Sequence, residues 1–305
     1  MNNIRFIQRK EIDLHKWDEA INNSFNSLPY ALSWYLDAVA ENWGALVLNN
    51  FEAVMPLVWL RKVGIKCLYQ PYYCQQLGVF SIKPLNAELH SKFMKAASGQ
   101  SPYIHINLNP SSAIVADEFS LAKKKNLLLD LGGDYSSIQK NYSGSHRRNI
   151  AKAIKTGLIF SEKNDLKSFQ NFYLENVNRN KENFKSQHEK IFKKLTQYLI
   201  TSKQGTAFTA HNDAGNLFAA VLIVFHKNRL IGIINTSSAM GKKNGASHFL
   251  FDQIIKKYSN SDYILDFEGS SIVTIARFYE GFGATEEVFY NYKSTFFNGM
   301  RQRFS

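Results

Sequence analysis

Two carboxylates, Asp266 and Glu268, flank Phe267 at the end of the apolar run Tyr263–Phe267. Side chains alternate along an extended strand, so both acids are expected on one face and Phe267 on the other. A carboxylate so placed can serve as a general base, directly or through a water. Glu268, nearer the strand end, is the preferred base and Asp266 the second choice; Asp266 would equally serve to cap the next helix or to pair with Arg277. Gly269, Ser270 and Ser271 suit a turn and an N-cap. The helix is expected from about Ile272 to Gly281 or Gly283, since glycine accepts the left-handed conformation of a helix end.

Two further segments suit anions. Lys242-Lys243-Asn244-Gly245-Ala246-Ser247 falls in the loop Met240–Ser247 between a strand and a helix. Glycine there permits close backbone approach, amides at the helix start point at an anion, and the lysines add charge. The same residues would also make a plain helix start. Upstream, Ser145–Lys155 reads as a basic amphipathic helix with Ile150 and Ile154 inward and Arg148, Lys152 and Lys155 outward, Arg147 adding to the cluster. Such a face fits phosphates or is simply solvated. His146 reads as a local hydrogen-bonding residue.

The elements that must hold these residues follow from periodicity. Residues 1–131 read as strands at Ile4–Gln8, Ala45–Leu48, Glu52–Trp59, Ile65–Gln70, Leu77–Phe80, Ile104–Leu108 and Asn126–Leu131, with helices at Leu14–Ile21, Ala31–Glu41 and Ala87–Ala97. Beyond them come a helix (Ser145–Thr156), a strand (Leu158–Glu162), helices Asp165–Arg179 and Gln187–Ser202, and strands Thr206–His211, Phe218–His226 and Arg229–Thr236. A helix Ala246–Tyr258 precedes the acidic strand, and Glu287–Thr295 and Phe296–Phe304 supply closing strands. The class is α+β, with mixed sheets flanked by helices.

With 305 residues, 45% of them hydrophobic and 14% aromatic, the chain suits two globular domains. All six prolines lie within the first 110 residues, and charge shifts with them. Residues 1–140 hold 14 Lys/Arg against 12 Asp/Glu, and residues 141–305 hold 23 against 13. The surplus in the second half favours a polyanionic or phosphate-bearing partner. The longest apolar run, Leu217–Phe225, is far short of the roughly 20 residues that span a bilayer. The N-terminus lacks the apolar core of a secretory signal, so a cytoplasmic location is expected. Cys67 and Cys74 are too few for a disulfide framework and have no zinc-like spacing around them, so no metal site is expected.

The stretch ILDFEGSSIVTIARFYEGFGA (Ile264–Ala284) resembles the C-terminal signature of FemAB-like acyltransferases, part of the GNAT superfamily that also includes BioF2-like domains. SGSHRRNIAKAIKTGL (Ser143–Leu158), DLKSFQNFYLENVNRN (Asp165–Asn180) and GKKNGASHFLFDQII (Gly241–Ile255) extend the resemblance in order. It implies two GNAT-like domains, 1–135 and 136–295, with 296–305 returning to complete the first. It implies that residues 242–247 hold the donor where relatives hold the coenzyme A pyrophosphate, with Lys242 and Ser247 at positions usually Arg/Gln and Gly/Ala. Backbone amides of the strand carrying Ile234 and Thr236 become oxyanion donors. Tyr279 stands where many family members have a lysine, and its phenol would donate to the oxyanion. Arg147, Arg148 and Lys152, with Arg179 beside the acceptor channel, become anion- and acceptor-binding residues.

The implied activity is transfer of an acyl or aminoacyl group from acyl-CoA or aminoacyl-tRNA to an amine by direct attack. The acceptor would be a cell-wall or polysaccharide precursor, met by peripheral membrane contact without a transmembrane segment. No tightly bound cofactor is implied; a coenzyme A thioester would be a co-substrate. The alternative is a non-catalytic GNAT-fold module that binds RNA or a nucleotide-linked ligand, a reading favoured by Tyr279.

Overall fold

In the computed structural model, which describes residues 3–112, 120–162, 165–177, 186–269 and 272–295, the chain divides into residues 1–124 with 288–305, and residues 125–287. The first unit begins with β1 (Ile4–Gln8), then α1 (Leu14–Asn23) and α2 (Ser33–Val39). The antiparallel β2 (Trp43–Leu48), β3 (Ala53–Lys62) and β4 (Ile65–Tyr69) follow, and the short β5 (Phe80–Ser81) pairs with β3. Asn86 caps α3 (Ala87–Ser98) by accepting from the Leu89 amide, and β6 (Tyr103–Leu108) then runs parallel to β4. Helix α3 buries Phe93, Met94 and Ala97 in a cluster with Leu46, Met55, Leu68 and Ile104.

The second unit carries most of β7 (Ser120–Asp130), then α4 (Tyr135–Lys140), α5 (Gly144–Lys155), β8 (Ile159–Glu162), α6 (Leu166–Val177) and α7 (Ser186–Thr201). Antiparallel β9 (Gly205–His211), β10 (Leu217–His226) and β11 (Arg229–Ser237) lead through α8 (Ala239–Lys243) and α9 (Ala246–Tyr258) to β12 (Ile264–Asp266), α10 (Val273–Glu280) and β13 (Thr285–Thr295). Strand β12 pairs in parallel with β11 and antiparallel with β7. Both units thus contain a β-α-α-β-β-β-α-β run, β1 to β6 apart from β5 and β8 to β12 apart from α8, with a parallel pair, β4/β6 or β11/β12, after the last crossover. This is α+β, and the GNAT-like order expected of the second half is present twice.

Strand β10 explains itself. Ala219, Val221 and Ile223 pack with Phe208, Phe249, Leu250, Ile254 and Leu265 on the α9 side. The intervening Ala220, Leu222 and Val224 are equally buried, which is why the run is continuously apolar rather than alternating. Helices α6 and α7 bury Phe169, Phe172 and Tyr173 with Phe192, Leu195 and Leu199, Tyr173 stacking on Phe192 at 4.2 Å between ring centroids.

Several boundaries differ from the expectation. The division falls at Lys125 rather than near residue 135, because β7 already belongs mostly to the second unit. Residues from Val288 onward belong to the first unit: Tyr290–Thr295 pair antiparallel with Leu108–Tyr103 of β6, so the return begins before residue 296. Residues 296–305 themselves lie outside the described residues. Helix α5 faces inward with His146, Ile150 and Ala153, while Ile154 is 57% exposed, a correction to the inward Ile150/Ile154 stripe.

Candidate functional site

The site begins where β11 and β12 part. Their pairing covers only Arg229–Ile231 against Ile264–Asp266, yet β11 continues to Ser237. The backbone of residues 232–237 therefore has no strand partner on that edge among the described residues. A bulge at Ile233, between the pairs Leu222↔Ile234 and Ile223↔Gly232, locally changes the register of the strand. Beyond the bulge, Asn235 and Ser237 line a cavity of about 410 Å³ together with Gly241 and Lys242 of α8, Gly245, Ser247 and His248 at the start of α9, and a wall from α10. That wall is Thr274, Ile275, Phe278 and Tyr279.

Gly245 is required by its surroundings. It takes φ +71 as the N-cap of α9, and a Cβ there would lie 2.5 Å from the Asn149 carbonyl oxygen of α5. No side chain caps α9, so the amides of its first turn lie uncapped beside the cavity that Gly245, Ser247 and His248 line. The preceding segment is not the open loop expected: Ser238 caps the short helix α8 by accepting from the Gly241 amide, so Lys242 and Lys243 are helical. Both lysines are exposed; Lys242 and Ser247 line the cavity, whereas Lys243 and Asn244 do not, and Ala246 is buried in the core.

Helix α5 is bound to this cavity by hydrogen bonds. His146 Nε2 lies 2.7 Å from the Phe278 carbonyl, which can only accept, so this nitrogen carries the proton. The other nitrogen, Nδ1, then accepts from Ser143 Oγ at 2.9 Å. The ring lies over Gly281, where a Cβ would run into it, and the Ser143 amide donates to the Gly281 carbonyl. His146 thus satisfies a last-turn carbonyl of α10 and packs edge-on against His248, 4.6 Å away between ring centroids. Burial, with the His146 ring beside it, pulls His248 down to about 4, so the ring in the cavity is neutral at pH 7.

The basic residues divide. Arg147 donates to the carbonyls of Tyr142 (2.6 Å) and Lys140 (3.3 Å), finishing α4 rather than facing a ligand. Lys152 donates to the Lys243 carbonyl at 2.6 Å and so joins α5 to the end of α8. Arg148 remains exposed. Arg179 lies outside the described residues.

The carboxylates are the main correction. Asp266 is 1% exposed and does not reach the cavity. Its Oδ2 meets Arg229 Nη1 at 2.9 Å, and its Oδ1 accepts from Asn126 Nδ2 (2.9 Å) and the Glu268 amide (3.1 Å). Arg229 also pairs with Glu287 at 2.8 Å. Burial raises the Asp266 pKa, opposed by the Arg229 charge; burial likewise opposes the Arg229 charge, but Glu287 and Asp266 more than offset that. Neither capping nor Arg277 is the role of Asp266: it holds a buried ion cluster on the face opposite Leu265 and Phe267. Glu268 does not share that face, because φ +48 there and φ +64 at Gly269 turn the chain off the strand. A left-handed non-glycine residue is uncommon and marks a constrained position. Glu268 lies close enough to Tyr279 for its charge to act on the phenol, though it does not line the cavity.

Tyr279 is buried in the cavity wall, stacked on Phe267 at 4.5 Å between centroids. Burial pushes its phenol up to about 12, the Glu268 charge adding to that shift and the neighbouring Asn235 amide opposing it. Asn235 Oδ1 is buried with no partner among the described residues. Asn235, Ser237 and His248 are not among the expected residues, and Ile234 and Thr236, expected to act through backbone amides, have buried side chains that do not line the cavity. Asn235 and Ser237 belong to the polar run 235–238 that ends this otherwise apolar strand. The N-cap expected at Ser271 is Ile272, without a side-chain cap bond; Ser270 and Ser271 lie outside the described residues.

No protein-family model and no curated protein sequence matches the chain. Solved structures do match over nearly its whole length. FemX superposes with a TM-score of 0.66 at 10% identity, covering 94% of this chain and 96% of its own. A domain assigned to a lysylphosphatidylglycerol synthetase of Agrobacterium fabrum gives 0.60 at 13% identity, covering 92% and 91%. L-PGS from Bacillus licheniformis gives 0.57 at 12%, covering 93% and 92%. At these identities the likeness is one of fold: the chain has the architecture of FemX and of these two structures.

Proposed function

We propose that this protein is an acyl- or aminoacyl-transferase, in which the cavity of the second unit holds an activated carbonyl while an amine attacks it. The observation that carries this is the meeting, in one 410 Å³ crevice, of the uncapped α9 start, Lys242, and the polar pair Asn235 and Tyr279. The fold shared with FemX and with structures named for lysylphosphatidylglycerol synthesis supports the same reaction class.

The chemistry follows from the side chains. Phosphates of the donor would lie against the α9 amides and Lys242. The amine nitrogen bonds to the acyl carbon, and the carbonyl π pair moves to oxygen, where the un-ionised Tyr279 O–H donates to it. Asn235 Oδ1, unpartnered among the described residues, accepts an N–H of the incoming amine and orients its lone pair. Glu268, reached through water, takes the surplus proton. Collapse breaks the C–S bond of a thioester or the C–O bond of an aminoacyl ester, and the leaving group is protonated. The donor is acyl-CoA or aminoacyl-tRNA, and the acceptor an amine on a cell-wall or polysaccharide precursor.

The second reading, a binding module without turnover, is favoured by the withdrawal of Asp266 into an ion cluster. A thermal-shift panel of coenzyme A, acyl thioesters, and charged and uncharged tRNA, followed by turnover with the donor that binds, tests both. A ligand at about 100 times its dissociation constant adds about 2.7 kcal/mol of stability. Tyr279→Phe and Glu268→Gln should keep donor binding and lower turnover, Tyr279→Phe by about 100-fold. No shift with any of these donors would reject the transferase reading. Binding without turnover in the wild type would establish the module.

A further inference from the structure

The rim of this crevice combines two kinds of surface. Arg148, Lys152 and Lys155 of α5 and Lys242 and Lys243 of α8 are all exposed, and Lys152 joins the two helices through the Lys243 carbonyl. No carboxylate among the described residues forms an ion pair with any of the five. Beside them stand aliphatic side chains with no burial to explain them. Met240, 55% exposed, directly precedes the cavity residues Gly241 and Lys242. Ile272 and Val273, 55% and 64% exposed, directly precede Thr274 and Ile275 on the α10 wall.

We infer that this rim docks on an anionic phospholipid bilayer, with Met240, Ile272 and Val273 entering the headgroup–acyl boundary and Arg148, Lys152, Lys155 and Lys243 on lipid phosphates. Charge complementarity selects a polyanion, and the aliphatic residues select which one. Recognition of single-stranded RNA stacks bases on aromatic rings. Among the described residues the one exposed large aromatic of the second unit is Tyr198, on α7. Unpaired cations around exposed aliphatic side chains are instead the composition of an interfacial membrane surface. This does not rest on the transferase reading, because docking needs no substrate.

The experiment is flotation of the full chain with vesicles of phosphatidylcholine alone, or with about one-third phosphatidylglycerol. Binding is expected only with phosphatidylglycerol, and raising salt from about 0.1 to about 0.5 M should weaken it at least about tenfold. Arg148→Glu with Lys155→Glu should weaken partition by at least about 30-fold, taking about fivefold per cation removed before the repulsion of the added carboxylates. Met240→Ser with Val273→Ser should also lower it without changing the salt dependence. Circular dichroism and unchanged melting temperatures confirm that the variants fold; if either pair fails to fold, its more conservative form, Arg148→Gln with Lys155→Gln or Met240→Thr with Val273→Thr, replaces it. Equal partition onto both vesicle types, or none onto either, overturns the proposal. So does full binding by the serine variant, and so does tighter binding to a duplex RNA that the charge variants lose, which would assign the surface to nucleic acid.

Discussion

Replacing Gly245 by alanine separates two costs that one residue now avoids. Alanine at φ +71 is strained by about 1–2 kcal/mol. Its methyl would also meet the Asn149 carbonyl oxygen at 2.5 Å, well inside contact distance, so α9 or α5 must shift. Overpacking of this kind adds about 1–3 kcal/mol, giving about 2–5 kcal/mol in all. Gly157 supplies the control: it has φ +70 and nothing within 4 Å of a built Cβ, so Gly157→Ala should cost only the conformational part. Urea unfolding of both variants measures the difference, expected at about 1–3 kcal/mol with m unchanged. The shift would also move the first turn of α9, so, if the proposed donor phosphates lie there, inorganic pyrophosphate should stabilise the wild type and Gly157→Ala alike and Gly245→Ala less. Equal losses in the two variants would refute the close approach of α5 and α9.

Arg229→Met should cost about 3–5 kcal/mol in the same assay, because Asp266 and Glu287 are left buried or half-buried without their cation. Adding Asp266→Asn and Glu287→Gln should recover much of that loss. Stability should fall as pH drops from about 6.5 towards 4, because burial holds His90 and His226 at about 4 while the unfolded chain binds protons near 6.5. Each ring contributes up to about 3 kcal/mol over that window, and His90→Leu, which also removes an unpartnered buried Nε2, should flatten the slope measured by melting against pH.

The parts of the fold that could be read beforehand are those fixed locally. The span of α9, the apolar run of β10 and the glycine at the α9 start each carry their reason within a few residues. Asp266 could not be read this way, because its partner Arg229 becomes a neighbour only through the parallel register of β11 and β12. Helix α5 was rotated in the expectation because isoleucine outranks histidine in apolar character. Its real orientation is set by His146 bonding to the end of α10, a contact made across 132 residues. Asn235 is not legible in this way: the expectation for this strand concerns backbone amides, and which side chains face the cavity depends on the bulge at Ile233.

The strand that seals the edge of β6 arrives last. Residues 103–108 of β6 wait for residues 290–295, whereas residues 125–287 hold β8 to β12 within one continuous stretch. During synthesis the later-made half should therefore reach its native pairing before the earlier-made half can be sealed. Until then β6 exposes an open edge, the kind of surface on which chains aggregate. A released chain ending at residue 287 should show a protease-resistant second unit and a protease-sensitive first one.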